Sequence, residues 1–393
     1  MFLFNTMTRV KERFEPLGNP VTLYVCGVTP YDTTHLGHAR TYVFFDVLQR
    51  YLRYRGMDVR YVQNITDVDD PLLARARELG VDYQALARQF IDVFMADLET
   101  LNVLLPATFP RVTQEVPGII TTIAVLMERG MAYSAGGSVY YRATKFAGYG
   151  TMGRLDRAAM LAANRDAGED PADPHKEDPL DFRLWQAAQP GEPTWESPWG
   201  PGRPGWHIEC STMASRYLGN RIDIHGGGED LVFPHHCSEI AQSESATGEV
   251  PFVRSWVHVG LVWMNGEKMS KSKGNMAFAR DLIPRYGADA LRYYLLGFPY
   301  RERLEYGEPQ LSEAAARWEA IASACPGADG GAMTAQGRAL REQCLAALDD
   351  DLDTPTALAR IGDLARLVHR EDAAGDRAAL RSVLEVLGFR PDP

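Results

Sequence analysis

Two short motifs hold the residue types that can manage a triphosphate. His35-Leu36-Gly37-His38 follows the apolar run Val21 to Val25, and Lys268-Met269-Ser270-Lys271-Ser272 stands far downstream, running into Lys273-Gly274-Asn275. A histidine pair around a glycine and a lysine pair on a loop suit the holding of ATP while an acyl group attacks its α-phosphorus. Such chemistry is mostly positioning and neutralisation of charge. Each motif has a plainer reading by itself, with His35 as a helix cap and Lys271 as a solvated charge. In this order, each after a strand-like stretch, they reinforce one another.

A second constellation has metal-ligand chemistry. His235 and Glu239 stand four apart in Phe233-Pro234-His235-His236-Cys237-Ser238-Glu239, so a helix starting near Pro234 puts them on one face. Cys210 closes Trp206-His207-Ile208-Glu209-Cys210, and Cys26 lies directly before Gly27. Two thiols, an imidazole and a carboxylate suit tetrahedral zinc. Spacing leaves two points open: a cysteine at a strand end is often a small buried hydrophobe, and His236 and Cys237 are rival ligands. Cys325 and Cys344 read as structural.

The elements that must position these groups follow from periodicity. Residues 21–28 read as a buried strand, 41–56 as a helix stopped at Gly56, and 59–65 as a second strand. That succession predicts a parallel α/β sheet, Rossmann-like, with its ligand site at the strand C-termini. Residues 1–105 and 205–324 are expected to be the two halves of this catalytic domain. Between them, 106–204 reads as an insertion, and eight of the chain's 24 prolines lie between Pro171 and Pro204, which predicts a long surface loop able to wrap a site. Cys325 to Gly331 has a linker's composition, and 333–393 reads as a small helical bundle.

Bulk properties bound the class. The chain has 393 residues, 45% hydrophobic and 24% charged, with a net charge of −11. Nonspecific nucleic-acid binding is not favoured by that charge. No run approaches the roughly 20 apolar residues of a membrane span, the N-terminus does not read as a secretory signal, and five cysteines make no disulfide framework. A monomeric enzyme of the reducing cytoplasm is expected.

The chain resembles the class I aminoacyl-tRNA synthetases, and within them the cysteinyl-tRNA synthetase family. The matching segments are Tyr24 to Thr29, His35 to His38, Asn64 to Asp70, Gly205 to Cys210, His225 to Gly228, Phe233 to His236 and Lys268 to Ser272. The resemblance implies one zinc held by Cys26, Cys210, His235 and Glu239. That zinc would take the thiol of substrate L-cysteine as thiolate and reject serine's harder hydroxyl. It also implies ATP with Mg²⁺, His35 and His38 at the reacting phosphate, and Lys268 and Lys271 at the departing pyrophosphate. Gly27, Thr29, Thr41, Asn64, Thr66, Gly228 and Asp230 would line the aminoacyl-adenylate pocket, with Trp206 and His225 closing it around the amino acid.

The acceptor is implied less directly. The chain ends soon after Val386-Leu387-Gly388, where the family usually continues into an anticodon-reading region. The expected acceptor is tRNA-Cys. The alternative is the amine of glucosaminyl-inositol, as in the mycothiol-pathway cysteine ligases, toward which Thr29 to Asp32 and Gly168 to Asp181 lean. Glu239 as a fourth ligand and Asp289 to Tyr294 lean toward the synthetase. A non-catalytic binding module is the remaining reading, opposed by the presence of every motif residue.

Overall fold

A computed structural model describes residues 1–269, 274–327, 331–371 and 374–391. Its centre is a four-stranded sheet, all parallel, in the order Val253–Val259, Ile222–Gly228, Val21–Val28, Val59–Ile65. Strand alternation sorts the side chains of the first strand. Val21, Leu23 and Val25 join the core on one face, and Tyr24 and Cys26 the core on the other. Cys26 is therefore aimed at the layer that carries the helices Trp206–Leu218 and Cys237–Thr247.

The helix after the first strand runs Leu36–Tyr54, starting earlier than apolar spacing predicts. His35 causes the difference: its Nδ1 accepts the His38 N–H at 3.3 Å, capping the first turn. Gly27 is required at the strand end, because a Cβ there would lie 1.6 Å from the Asn64 carbonyl oxygen. Two further helices follow the strand Val59–Ile65, Asp70–Leu79 and Tyr83–Thr100, separated by left-handed Gly80.

The insertion holds the helix Val112–Glu128 and an antiparallel sheet of Ala132–Ala135, Ser138–Tyr141, Phe182–Ala187 and Gly202–Pro204. The last two strands lie in the proline-rich stretch that reads as loop from sequence. Pro204 falls at the end of an edge strand, where its missing N–H costs nothing.

Helices Glu308–Ala322, Ala335–Asp349, Thr354–Glu371 and Ala374–Val386 form the C-terminal bundle, the first of them packing on both Ala288–Leu296 and Thr354–Glu371. A buried ion pair between Asp46 and Arg292, both 0% exposed, ties the His35–His38 helix to Ala288–Leu296. Arg292 also donates to the carbonyls of Leu387 (2.6 Å) and Leu101 (2.8 Å). Removing one partner of such a pair typically costs ~3–5 kcal/mol. Among the described residues, no helix is long and apolar enough to cross a membrane.

Candidate active site and metal centre

Cys26, Cys210, His235 and Glu239 arrive from three segments and meet. Their donor atoms all lie within 4.8 Å of one another, and all four residues are buried. Cys210 sits one turn beyond Trp206 on its helix, and a widened turn over Val232–His236 runs directly into Cys237–Thr247, keeping His235 and Glu239 on one face. The Sγ atoms of Cys26 and Cys210 are 3.9 Å apart. Cys26 Sγ is 3.7 Å from Glu239 Oε1, and His235 Nε2 is 3.2 Å from the same oxygen. Zinc–sulfur bonds of ~2.3 Å give tetrahedral edges of roughly 3.8 Å between sulfurs, so the donor set and its spread fit zinc. Of the two rivals that spacing left open, the Cys237 thiol instead faces the backbone amides of Gly150, Met152 and Gly153, and burial pushes it up to about 11.

A layer of histidines backs this cluster. His235 Nδ1 lies 2.9 Å from His207 Nδ1, and its ring stacks on Trp206 at 4.4 Å. His236 Nδ1 lies 2.7 Å from His258 Nε2, and His258 Nδ1 is 2.8 Å from Thr6 Oγ1. His225 Nε2 lies 3.0 Å from Glu239 Oε2, while its ring stacks on Trp256. Burial lowers His207 to about 4 and His258 to about 3, and pulls His235 and His236 down as well. All four are neutral imidazoles near pH 7, the form that ligates metals. Burial and the adjacent Cys210 push the Cys26 thiol up, the direction a bound dication reverses.

The histidine motif and the segment after the lysine motif are joined by backbone. Leu36 N donates to Ala277 O (2.9 Å), and Ala279 N donates to Thr34 O (3.0 Å), so the segment after the lysine motif is stitched to the histidine motif. Arg40, on the same helix, donates to the carbonyls of Gly260 and Pro299, both at 2.9 Å, and so fixes the approach to that motif. The His35 and His38 rings stack with centroids 3.6 Å apart at the helix N-terminus. Lys268 Nζ pairs with Asp230 Oδ2 at 2.9 Å. Lys271 lies outside the described residues.

The comparisons decide the family. The model for the tRNA synthetases class I (C) catalytic domain matches residues 13–316. The cysteine–tRNA ligase of Thioalkalivibrio sulfidiphilus is 48% identical over 391 residues, covering 98% of this chain and 84% of that protein. That of Dehalococcoides mccartyi is 46% identical over 383 residues, covering 96% and 82%. The chain belongs to the cysteinyl-tRNA synthetase family. Its fold is that of solved class I enzymes. Mycobacterium tuberculosis methionyl-tRNA synthetase with methionyl-adenylate superposes with a TM-score of 0.65 at 18% identity, covering 94% of this chain and 89% of that one. The LeuRS of Agrobacterium radiobacter K84 gives 0.68 at 12%, covering 95% and 84%.

In this member of the synthetase family a cavity of about 780 Å³ joins both motif regions. Among the residues singled out in the sequence, Cys26, Gly27, Thr29, His35, His38, Asn64, Thr66, Trp206, Cys210, Asp230 and His235 line it. Thr41, His225, Gly228, Glu239 and Lys268 do not line it. Thr41 Oγ1 donates to Gly37 O at 3.1 Å, and His225 lies beneath Glu239. Asn64 works on its neighbours: Oδ1 accepts from Gly27 N at 2.8 Å, and Nδ2 donates to Thr66 Oγ1 at 3.1 Å. Spacing alone missed the far wall, where Asp166, Glu169, Arg183, Gln186 and Arg203 from the insertion meet Asp69 and Asp70. Its signal was the proline-rich stretch, which does wrap the site. Spacing also missed the places of His207 and His258 against His235 and His236, each being next to an apolar residue and unremarkable alone.

Proposed function

We propose that the chain is a cysteine–tRNA ligase, activating L-cysteine with ATP and transferring it to tRNA-Cys. What carries the reading is the Cys26–Cys210–His235–Glu239 group, set in one cavity with His35 and His38. The similarity to cysteine–tRNA ligases over nearly the full chain supports it, and those relatives lend no support to the sugar-amine alternative.

Cys26, Cys210, His235 and Glu239 would hold one zinc ion. When bound, it supplies a soft Lewis-acid position that favours the thiolate of cysteine over the hydroxyl of serine. The ring of Trp206 and the backbone at Gly27 border the amino acid. The carboxylate of cysteine attacks the α-phosphorus of ATP, whose Mg²⁺ accompanies the triphosphate, and pyrophosphate leaves. His35 and His38, at the positive end of their helix, donate to the oxygens on which charge develops. His35 Nδ1 already accepts from His38 N–H, so its Nε2 is the nitrogen left to carry a proton toward phosphate. Lys268 leaves Asp230 for the polyphosphate, joined by Lys271. In the second step a ribose hydroxyl of the tRNA 3′ end attacks the mixed anhydride and releases AMP.

Residues 1–105 and 205–324 act in this reading as one catalytic unit, with 106–204 walling the cavity and 333–393 contacting the tRNA stem. The enzyme works as a monomer in the cytoplasm. The test supplies zinc-loaded protein with ATP and labelled cysteine, offering deacylated tRNA and glucosaminyl-inositol in parallel. Label in acid-precipitable, ribonuclease-sensitive material is expected. Label in a small amide instead, or no cysteine-dependent ATP–pyrophosphate exchange, overturns the reading.

A further inference from the structure

The same cluster contains a second set of donors. Cys26, His225, His236 and Glu239 also bring their donor atoms within 4.8 Å of one another, all buried. Cys26 Sγ is 3.3 Å from His236 Nε2, His236 Nε2 is 3.8 Å from Glu239 Oε1, and His225 Nε2 is 3.0 Å from Glu239 Oε2. The two sets share Cys26 and Glu239 and differ in the other pair. Cys210 and His235 line the cavity, whereas His225 and His236 do not and are 0% exposed.

His235 and His236 are prepared alike. Each turns Nε2 toward the shared carboxylate and sets Nδ1 against another buried histidine, His207 in one case and His258 in the other. A partner on the distal nitrogen fixes tautomer and ring orientation, as for ligating histidines in general. His225 adds an independent sign. Its Nε2 lies 3.0 Å from Glu239 Oε2, its ring centroid is 4.6 Å from that of His236, and its side chain is wholly buried, so it meets the shared carboxylate from the side away from the cavity.

We propose that the site offers two overlapping seats for one divalent cation: an outer seat of Cys26, Cys210, His235 and Glu239, and an inner seat of Cys26, His225, His236 and Glu239. The inference rests on the zinc reading of the outer seat. With both seats intact the outer one prevails, because it supplies two thiolates to the ion. When Cys210 or His235 disengages, the ion moves inward, stays bound through one thiolate and two imidazoles, and no longer faces the cavity. Metal content then ceases to report competence, since an enzyme holding its ion in the inner seat is loaded and inactive toward cysteine.

Cobalt(II) reads the two seats apart, because its thiolate charge-transfer absorption scales with the number of sulfurs and X-ray absorption counts imidazoles. Unaltered protein should bind one Co²⁺ with two sulfurs and one imidazole; any other count sinks the outer-seat reading by itself. Cys210→Ala/His235→Ala should still bind one Co²⁺, about 10–100-fold more weakly, now with one sulfur and two imidazoles. Adding His225→Ala and His236→Ala should abolish binding. Loss of Co²⁺ in the double variant while its circular dichroism is native overturns the proposal, as does binding that survives all four changes. Should the double variant fail to fold, Cys210→Ser decides: two imidazoles support the inner seat, and one imidazole refutes it.

Discussion

In the proposed mechanism the amino-acid end of the site and its phosphate end are built on opposite principles. Cys26, Cys210, His235 and Glu239 are at most 6% exposed and are braced by buried histidines. Lys268 and Asp230, by contrast, are 50% and 44% exposed and form a surface ion pair. Exposed pairs of this kind are worth about 0–1 kcal/mol, so in the proposed mechanism Lys268 would exchange Asp230 for a polyphosphate at little cost. A buried cluster permits no such exchange, since each uncompensated charge there costs several kcal/mol. Discrimination between a thiol and a hydroxyl needs fixed, desolvated donors. Gripping and releasing a highly charged leaving group needs mobile, screened ones.

The sharpest way to break this contrast is to attack the donors shared by both seats. Cys26→Ser should remove the metal altogether and lower cysteine activation by more than about 10³-fold, because several kcal/mol of Lewis-acid stabilisation goes with it. Metal analysis beside ATP–pyrophosphate exchange checks this, and full zinc content in that variant would contradict it. Next comes His38→Ala, expected to lower the adenylation rate about 10²–10³-fold with the KM for cysteine nearly unchanged. Pre-steady-state adenylate formation measures it; a change confined to the cysteine KM would move His38 to the amino-acid end. Smaller again, Lys268→Ala should cost about 10-fold to 100-fold in the same rate, and Asp230→Asn should leave cysteine affinity unaltered while changing the salt dependence of ATP binding. An equal response of cysteine and ATP binding to salt would erase the distinction between the two ends.

Legibility from sequence follows the same division. Donor types and strand or helix order were readable because each depends on local periodicity: Cys26 at a strand end, His235 and Glu239 one turn apart, His35 before a helix. The fold class was readable for the same reason. What spacing could not show is how distant segments converge. The choice between Cys210 and Cys237 depends on which way a helix turns its face. The convergence of His207 and His258 on adjacent histidines is tertiary. The strands Phe182–Ala187 and Gly202–Pro204 were hidden because prolines and glycines mask alternation when the strands are short and at an edge. The whole wall of insertion residues was legible only as a stretch long enough to cover something.

On the cavity wall stands Asp69, which adds a modest pH effect. It caps the helix Asp70–Leu79, with Oδ1 accepting from Asp70 N at 2.8 Å and Oδ2 from Thr29 Oγ1 at 3.3 Å. Burial raises its carboxyl from 3.8 to about 6, the caps and Arg203 opposing that shift without cancelling it. A carboxyl raised in the folded state binds its proton more tightly folded than unfolded. Its stabilising contribution is therefore complete below about pH 4 and is lost as pH rises through about 6. Asn keeps the cap and removes the titration. Asp69→Asn should accordingly flatten the stability curve between pH 4 and pH 6.5, by on the order of 1–3 kcal/mol, as followed by urea unfolding at each pH. A variant whose stability still falls over that window by the same amount as the unaltered protein would show that Asp69 is solvated like the phosphate end, and that the desolvated region stops short of the cavity rim.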